Sequence, residues 1–290
     1  MCTKVIFDRS AFASNSIEEL HDDRLLSLLK DERIIVHHSP IFLEETLQMY
    51  YNNNLLPQLK KELPFILRIC NGKYFRHKFE VWKNELGEKD LSYEDKYFLS
   101  DEDEDLFKEN VSSLIMTEKL GGKELNQIRR KSMESEKSAI EHRELYKWLR
   151  DEYTSEFTDN IHTPDEREKL IDWYVKEHID SFAEKFIKKR LPNLPDIAYV
   201  NWKKDKDKYP YFTNYAKGIM YSAVYAFGEP NQRLDKNALA DVGILMYLTD
   251  ADIIVSNDTR FMSFAFDYLY GNSGKNYLST KDFIESLKFI

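Results

Sequence analysis

Lys4-Val5-Ile6-Phe7-Asp8 decides the fold: a short apolar run, too brief for a buried helix, closed by an acid. Three further stretches share its texture: Ile34-Ile35-Val36, Asp252-Ile253-Ile254-Val255-Ser256-Asn257-Asp258 and Tyr277-Leu278. Their β-branched and aromatic residues suit buried strands. Helix signals separate them. Ser16 with Glu19 forms a capping box opening an amphipathic helix through Leu20, Leu25, Leu28 and Leu29. Ser39-Pro40 opens another, with Ser39 as N-cap and Pro40 at the first helical position. Near the far end Asn237 to Leu248 reads as an apolar helix, Phe261 to Tyr270 as a helix ended by Gly271, and Ser279 as the start of a closing helix. Strands alternating with helices predict an α/β fold with a central, mainly parallel sheet.

Between these ends the texture changes. Residues 55–230 are rich in Lys, Glu, Leu, Tyr and Trp, with apolar spacing of three and four. Thr163-Pro164-Asp165-Glu166 opens a helix presenting Leu170, Trp173, Tyr174, Phe182 and Phe186, and Lys188-Lys189-Arg190 followed by Pro192 ends it. Residues 85–105 are strongly acidic, a solvated loop or helix start. The expected division is an α/β core of residues 1–54 and 231–290, interrupted by a mostly helical insertion at 55–230, part of which completes the core.

The chain is 290 residues with 42% hydrophobic and 14% aromatic residues, the composition of a folded protein. Its net charge of -9 opposes a generic basic protein that coats nucleic acid. It does not oppose a carboxylate site that reverses its local charge by binding a cation. Cys2 and Cys70 form no C-x-x-C or His/Cys cluster, so neither a disulfide framework nor structural zinc is expected, and a reducing compartment fits. With no signal-like segment or long apolar run, the expected location is cytoplasmic, away from membranes.

Open α/β sheets place their sites beyond the carboxyl ends of their strands. Asp8 and Asp258 close two strands, Glu44 and Glu45 follow a third, and Asp241 lies in an apolar helix. Gathered together, such acids make a hard, oxygen-rich pocket suited to Mg²⁺ or Mn²⁺ and to phosphodiester hydrolysis. Singly, each has a plainer explanation. Asp8 suits a turn, Glu44 and Glu45 suit the surface near a helix N-terminus, and Asp241 suits a solvent face. Asp241 is the most telling, because among Ala238, Leu239, Val242 and Leu245 a buried carboxylate without a partner is costly. His37 and His38 lack metal-ligand spacing and read as packing or hydrogen-bonding residues.

Four segments carry a family resemblance: Val5-Ile6-Phe7-Asp8-Arg9-Ser10-Ala11-Phe12, Ser39-Pro40-Ile41-Phe42-Leu43-Glu44-Glu45, Asn237-Ala238-Leu239-Ala240-Asp241-Val242-Gly243-Ile244-Leu245 and Ala251-Asp252-Ile253-Ile254-Val255-Ser256-Asn257-Asp258-Thr259-Arg260-Phe261. In this order, with Tyr277-Leu278-Ser279-Thr280-Lys281-Asp282-Phe283 closing the chain, they resemble the PIN-domain nucleases. That family includes Mg²⁺- or Mn²⁺-dependent ribonucleases and the toxins of many bacterial toxin–antitoxin pairs. The resemblance covers the two ends of the chain. It implies a three-layer α/β/α core and an endonuclease that hydrolyses phosphodiester bonds, in RNA by preference, with metal-activated water and one or two ions. It makes Asp8, Asp241 and Asp258 the metal carboxylates and Glu45 the fourth catalytic acid, with Glu44 as fallback. Ser10, Ser256 and Asn257 are supporting residues. It also implies RNA or another single-stranded nucleic acid as partner, and leaves open a toxin or defence role, an inhibitory protein partner and a homo-oligomer.

Two basic-aromatic stretches, Lys73 to Phe79 and Trp202 to Phe212, have the make-up of single-strand grips: cations for phosphates and rings for bases. They nominate Lys73, Arg76, Lys78, Lys203 and Lys204 as nucleic-acid-binding residues. The expected geometry puts both stretches at the mouth of the acidic pocket and turns the acidic run away. Amphipathic helices with aromatic cores show the same pattern. An aspartyl phosphatase would want an acid at position 10, where Ser10 stands, and a D-x-S-x-S adhesion module fails at Phe12. The remaining alternative is a catalytically silent PIN-like adaptor or binding module using the helical insertion.

Overall fold

The computed structural model describes residues 2–13, 16–42, 44–46, 56–87, 90–117, 164–225 and 238–290. Four strands form one sheet, all parallel, in the order β2-β1-β3-β4. They are β1 (Thr3–Phe7), β2 (Ile34–His37), β3 (Ile253–Val255) and β4 (Asn276–Leu278). Val5 sits between Val36 and Ile253 in register. Successive side chains point to opposite faces. Val5, Phe7, Ile253 and Val255 therefore meet one core while Ile6 and Ile254 meet another.

Helices cover both faces. On the first lie Leu25, Leu28 and Leu29 of the Asp23–Lys30 helix, Phe65, Ile66 and Ile69 of the Leu56–Ile69 helix, and Phe283 with Leu287. On the second lie the Lys78–Leu86, Pro164–Arg190, Pro210–Tyr225, Ala238–Tyr247 and Phe261–Tyr270 helices, whose aromatic residues form the larger core. The architecture is helix, sheet, helix, with middle-stretch helices contributing to both outer layers. Each fully buried Leu, Ile, Val or Phe side chain contributes about 1.5–3 kcal/mol, so both layers are held mainly by apolar burial. No helix among the described residues is long and apolar enough to cross a membrane.

Two local expectations need correction. The helix opening at Ser16 lasts one turn, Ser16–Glu19, and a second starts at Asp23. Asp22 is the reason: its Oδ1 accepts the Arg24 and Leu25 N–H groups at 2.9 and 3.0 Å, and a strong N-cap ends whatever precedes it. The break lets Leu20 and Leu25 both reach the same core. The acidic run at 101–105 does start a helix, Asp101–Thr117, where Ser100 Oγ accepts the Asp103 N–H. Glu85, however, is buried rather than solvated, as the next helix start explains. The Pro210–Tyr225 helix follows Tyr209, which offers no cap of the usual kind. Glu85 supplies it from another helix, accepting the Tyr211 and Phe212 N–H groups at 3.1 and 2.8 Å and the Tyr97 hydroxyl at 3.2 Å. Thr163, the capping residue expected for the Pro164 helix, lies outside the described residues.

An exposed sheet edge would invite pairing with other chains. The outer edge of β2 is covered by residues 71–75. Gly72 donates to Val36 O, His38 to Lys73 O, and Phe75 to His38 O. Asn71 accepts the Val36 N–H and donates to Leu29 O and Ile34 O. A Cβ at Gly72 would stand 2.5 Å from Ile35 Cγ2 and 2.9 Å from Val36 O, so only glycine lies this close to the strand. Gly72→Ala is expected to cost about 1–3 kcal/mol, the range for overpacking. A urea midpoint equal to that of wild type would show that the edge yields without cost.

Candidate active site at the sheet edge

The strand order fixes where a site belongs. The chain leaves β1 for β2 on one side and returns through β3 on the other, so the crevice beyond the carboxyl ends of β1 and β3 is the switch point where open α/β sheets bind ligands. Asp8 follows β1 directly, and its N–H donates to Val255 O at 2.9 Å. Ser256, Asn257 and Asp258 follow β3. Short-range chain order thus places two of the four nominated acids at one crevice.

Asp8 is buried and held by one oxygen. Its Oδ2 accepts the Ser10 N–H at 3.1 Å, the Ser256 hydroxyl at 2.9 Å and the Ser10 hydroxyl. Its Oδ1 accepts no hydrogen bond among the described residues. Each serine oxygen accepts a backbone N–H in turn: Ser10 Oγ from Asn257 at 2.8 Å, Ser256 Oγ from Asp258 at 3.1 Å. The expected role of Ser256, orienting Asp258, is therefore wider. It takes the backbone N–H of Asp258 and steers the carboxylate of Asp8. Asn257 fastens the corner: Nδ2 donates to Ser10 O, Ser16 Oγ and Thr280 Oγ1, and Oδ1 accepts the Thr280 N–H.

Asp241 is buried in the Ala238–Tyr247 helix, 6% exposed, so it does not lie on a solvent face. The charges of three acids act on Tyr277. Its hydroxyl donates to the Asp258 carbonyl, and its pKa is raised first by burial and then by the charges of Asp8, Asp258 and Asp241. Glu45 joins through Asp8. Half-buried, its carboxyl is pushed up to about 8 by burial and by the Asp8 charge, against the pull of Arg9 and Lys78. Glu44 is the less engaged of the pair, with Oε1 3.7 Å from His77 Nε2. Asp8 and Asp258 follow neighbouring strands, the charges of Asp8, Asp258 and Asp241 act on Tyr277, and that of Asp8 acts on Glu45; among the described residues no three His, Cys, Asp or Glu side chains stand close enough together to hold a metal ion jointly.

The donor set still fits a hard cation. Mg²⁺ keeps most of its waters and needs only one or two direct carboxylates. Asp8, with one oxygen pinned and the other without a hydrogen bond among the described residues, could supply one of these, and Asp258 at the neighbouring strand end the other. Three residues at this corner escaped sequence reading: Arg9, Tyr277 and Thr280. The Arg9 guanidinium stands 3.9 Å from Glu62 Oε2; burial lowers its pKa, opposed by the charges of Glu62, Asp8 and Glu45. An arginine directly after a strand-ending aspartate was the signal available for it.

The grips fare differently. Tyr74, Phe75, Trp202, Tyr209, Tyr211 and Phe212 are all buried and cannot stack on bases; they are core. Lys73 pairs with Glu94 at 2.6 Å, Arg76 lies 3.5 Å from Glu80, and Lys203 pairs with Asp180 at 3.2 Å. Lys204 is exposed. Glu104 of the acidic run accepts the Tyr74 N–H of the first stretch at 2.9 Å. His37 and His38 are packing residues as expected: His38 stacks on Tyr74 and burial lowers its pKa to about 4. Cys2 and Cys70 are free thiols, the first exposed and the second buried. No family model matches this chain, and no curated protein or solved structure matches it.

Proposed function

We propose that this chain is a PIN-like, Mg²⁺- or Mn²⁺-dependent endonuclease acting on single-stranded nucleic acid, RNA by preference. The observation that supports it most is Asp8 at the β1–β3 switch point, pinned through Oδ2 by two serines, with Asp258 following the neighbouring strand. A bound divalent cation supplies Lewis-acid stabilisation of phosphoryl oxygens and lowers the pKa of water. The protein does the rest. Ser10 and Ser256 fix the direction of Asp8. Asn257 and Thr280 hold the β3 end against the segment after β1. Glu45 carries a proton at neutral pH in the cation-free chain and so limits the repulsion among the acids. The preference for RNA, and any toxin or defence role, rest on the resemblance alone.

The test is cleavage of labelled single-stranded RNA and DNA by the purified full chain with Mg²⁺ or Mn²⁺, against chelator. Hydrolysis that needs the cation supports the reading; none with either ion rejects it and leaves the adaptor. The two glutamates refine the test. Glu45→Gln is expected to reduce the rate by about a hundredfold, the lower range for a positioned acid or base, whereas Glu44→Gln changes it little. Equal tolerance of both would remove the second helix from the site.

A further inference from the structure

The Phe261–Tyr270 helix begins at the carboxyl edge of the sheet. Asp258 Oδ1 accepts the Arg260 N–H at 2.6 Å, so the start of that helix is tied directly to a strand-end acid. Tyr277 holds the same turn by donating to the Asp258 carbonyl. Phe261, Met262, Ala265, Phe266 and Tyr270 of the helix are buried. Phe264 is not. It is 45% exposed, with its ring centroid 5.6 Å from that of Tyr225. It lies one turn beyond Arg260, whose carbonyl accepts its N–H at 3.4 Å. Arg260 is exposed as well, and among the described residues it makes no ion pair.

The Arg260 side chain does not serve the helix it opens. At an N-cap Ser, Thr, Asp or Asn is favoured, because an oxygen there accepts an N–H of the first turn. Arg260 makes no such side-chain bond, and its charge meets the positive end of the helix dipole. A lone exposed phenylalanine is ordinary on a protein surface. A cation and a ring one turn apart, on a helix tied to a strand-end acid, have a use together. Acids at the sheet edge attract a metal ion but repel the anionic chain to be cleaved. A guanidinium offers a planar fork of donors to a phosphate, and a ring offers its face to a base. We infer that Arg260 and Phe264 form a nucleotide grip beside the Asp8–Asp258 edge, Arg260 holding a backbone phosphate and Phe264 stacking on a neighbouring base of a single strand. This rests on the proposed function for the class of substrate, but its test does not need hydrolysis. It also gives that function a source of selectivity, since the bases of a duplex are already stacked on one another.

The experiment is fluorescence anisotropy with the full chain in Ca²⁺, over a series of salt concentrations. One probe is a labelled oligouridylate and the other an abasic oligomer with the same number of phosphates. Arg260→Gln should weaken binding of both by about tenfold and lower the salt slope by about 0.7, the value for one phosphate of a single strand. Phe264→Leu keeps an apolar side chain without the ring. It should weaken oligouridylate binding by about tenfold, leave the salt slope alone and leave the abasic probe unaffected, while Phe264→Tyr binds as wild type does. Lys188→Gln and Phe289→Leu, which remove an exposed cation and an exposed ring from other parts of the chain, should change neither probe. Circular dichroism checks the fold of each variant. Wild-type binding by Arg260→Gln or Phe264→Leu, an equal loss on the abasic probe in Phe264→Leu, or no binding by wild type overturns the inference. The expected losses in a chain that cleaves nothing in Mn²⁺ keep the grip and reject the nuclease. Cleavage by wild type with binding untouched in both variants does the reverse.

Discussion

Asp8→Asn is expected to reduce cation-dependent cleavage by about a thousandfold or more while the protein melts at or above the wild-type temperature. The direction of the new amide is dictated by its neighbours. Three donors converge on Asp8 Oδ2: the Ser10 N–H, the Ser10 hydroxyl and the Ser256 hydroxyl. An amide that keeps these bonds must turn its oxygen to them, which puts its NH₂ where Oδ1 stood. A donor then faces the position a cation would need, and the formal charge is gone. Losing about 4 kcal/mol of transition-state stabilisation gives the thousandfold figure. The fold keeps its hydrogen bonds and loses one of several crowded negative charges. The substitution also reports on geometry. Because the Asp8 charge helps push Glu45 up to about 8, the Glu45 carboxyl should titrate lower in the variant. Wild-type cleavage by Asp8→Asn, in preparations free of contaminating nuclease, removes Asp8 from the chemistry. An unchanged Glu45 titration means the two acids do not share a corner.

The second large effect is on stability. Glu85→Ala should cost about 4 kcal/mol and lower the melting temperature by about 10 °C, because it strands the buried N–H groups of Tyr211 and Phe212 and the hydroxyl of Tyr97, each worth about 1–3 kcal/mol when left unpaired. The same residue makes stability depend on pH. Burial pushes the Glu85 carboxyl from 4.5 to about 7, although its three donors pull the other way. The folded chain therefore binds a proton that the unfolded chain releases. Stability from this group is full below about 4.5 and falls as pH rises towards 7, by roughly 3 kcal/mol in all. Glu45 adds a loss of the same sign, so the contribution of Glu85 is the difference between wild type and Glu85→Gln. The glutamine can accept one backbone N–H but opposes the other with its own. A Glu85→Ala midpoint within about 1 kcal/mol of wild type would mean that water or a neighbour replaces the cap. Parallel pH profiles for wild type and Glu85→Gln would mean that Glu85 stays ionised in the fold.

How far these features were legible depends on the distance between partners. The strands were readable because each is announced by its own β-branched residues. The acids at Asp8 and Asp258 were readable because they end those runs. Asp241 stood out because a carboxylate among Ala238, Val242 and Leu245 is conspicuous. The capping role of Glu85 was not readable, since the two N–H groups it caps lie more than a hundred residues away and nothing near it distinguishes it from the acids that follow. The basic-aromatic stretches were ambiguous for a related reason. Lys-aromatic spacing is the same whether the rings face solvent or core, and only the packing of Trp202 against Phe212 and of Phe75 against Tyr247 decides between them. Lys78 and Lys203 look alike in sequence; the charge of one acts on Glu45, while the other pairs with Asp180.

The knot of hydrogen bonds at Asn257 has a consequence in time. The bond from its N–H to Ser10 Oγ spans 247 residues, so the serine that steers Asp8 finds its fixing partner only after that many further residues have been made. At about 5–20 residues per second, that is roughly 12–50 s after Ser10 itself is synthesised. During that interval β1 can pair with β2, because their partners are local in sequence, but the carboxylate at its end has neither Ser256 nor Asp258 beside it. Until they arrive, the corner is unfinished. It is completed with the arrival of β3 and Thr280, so the order of synthesis delays its assembly.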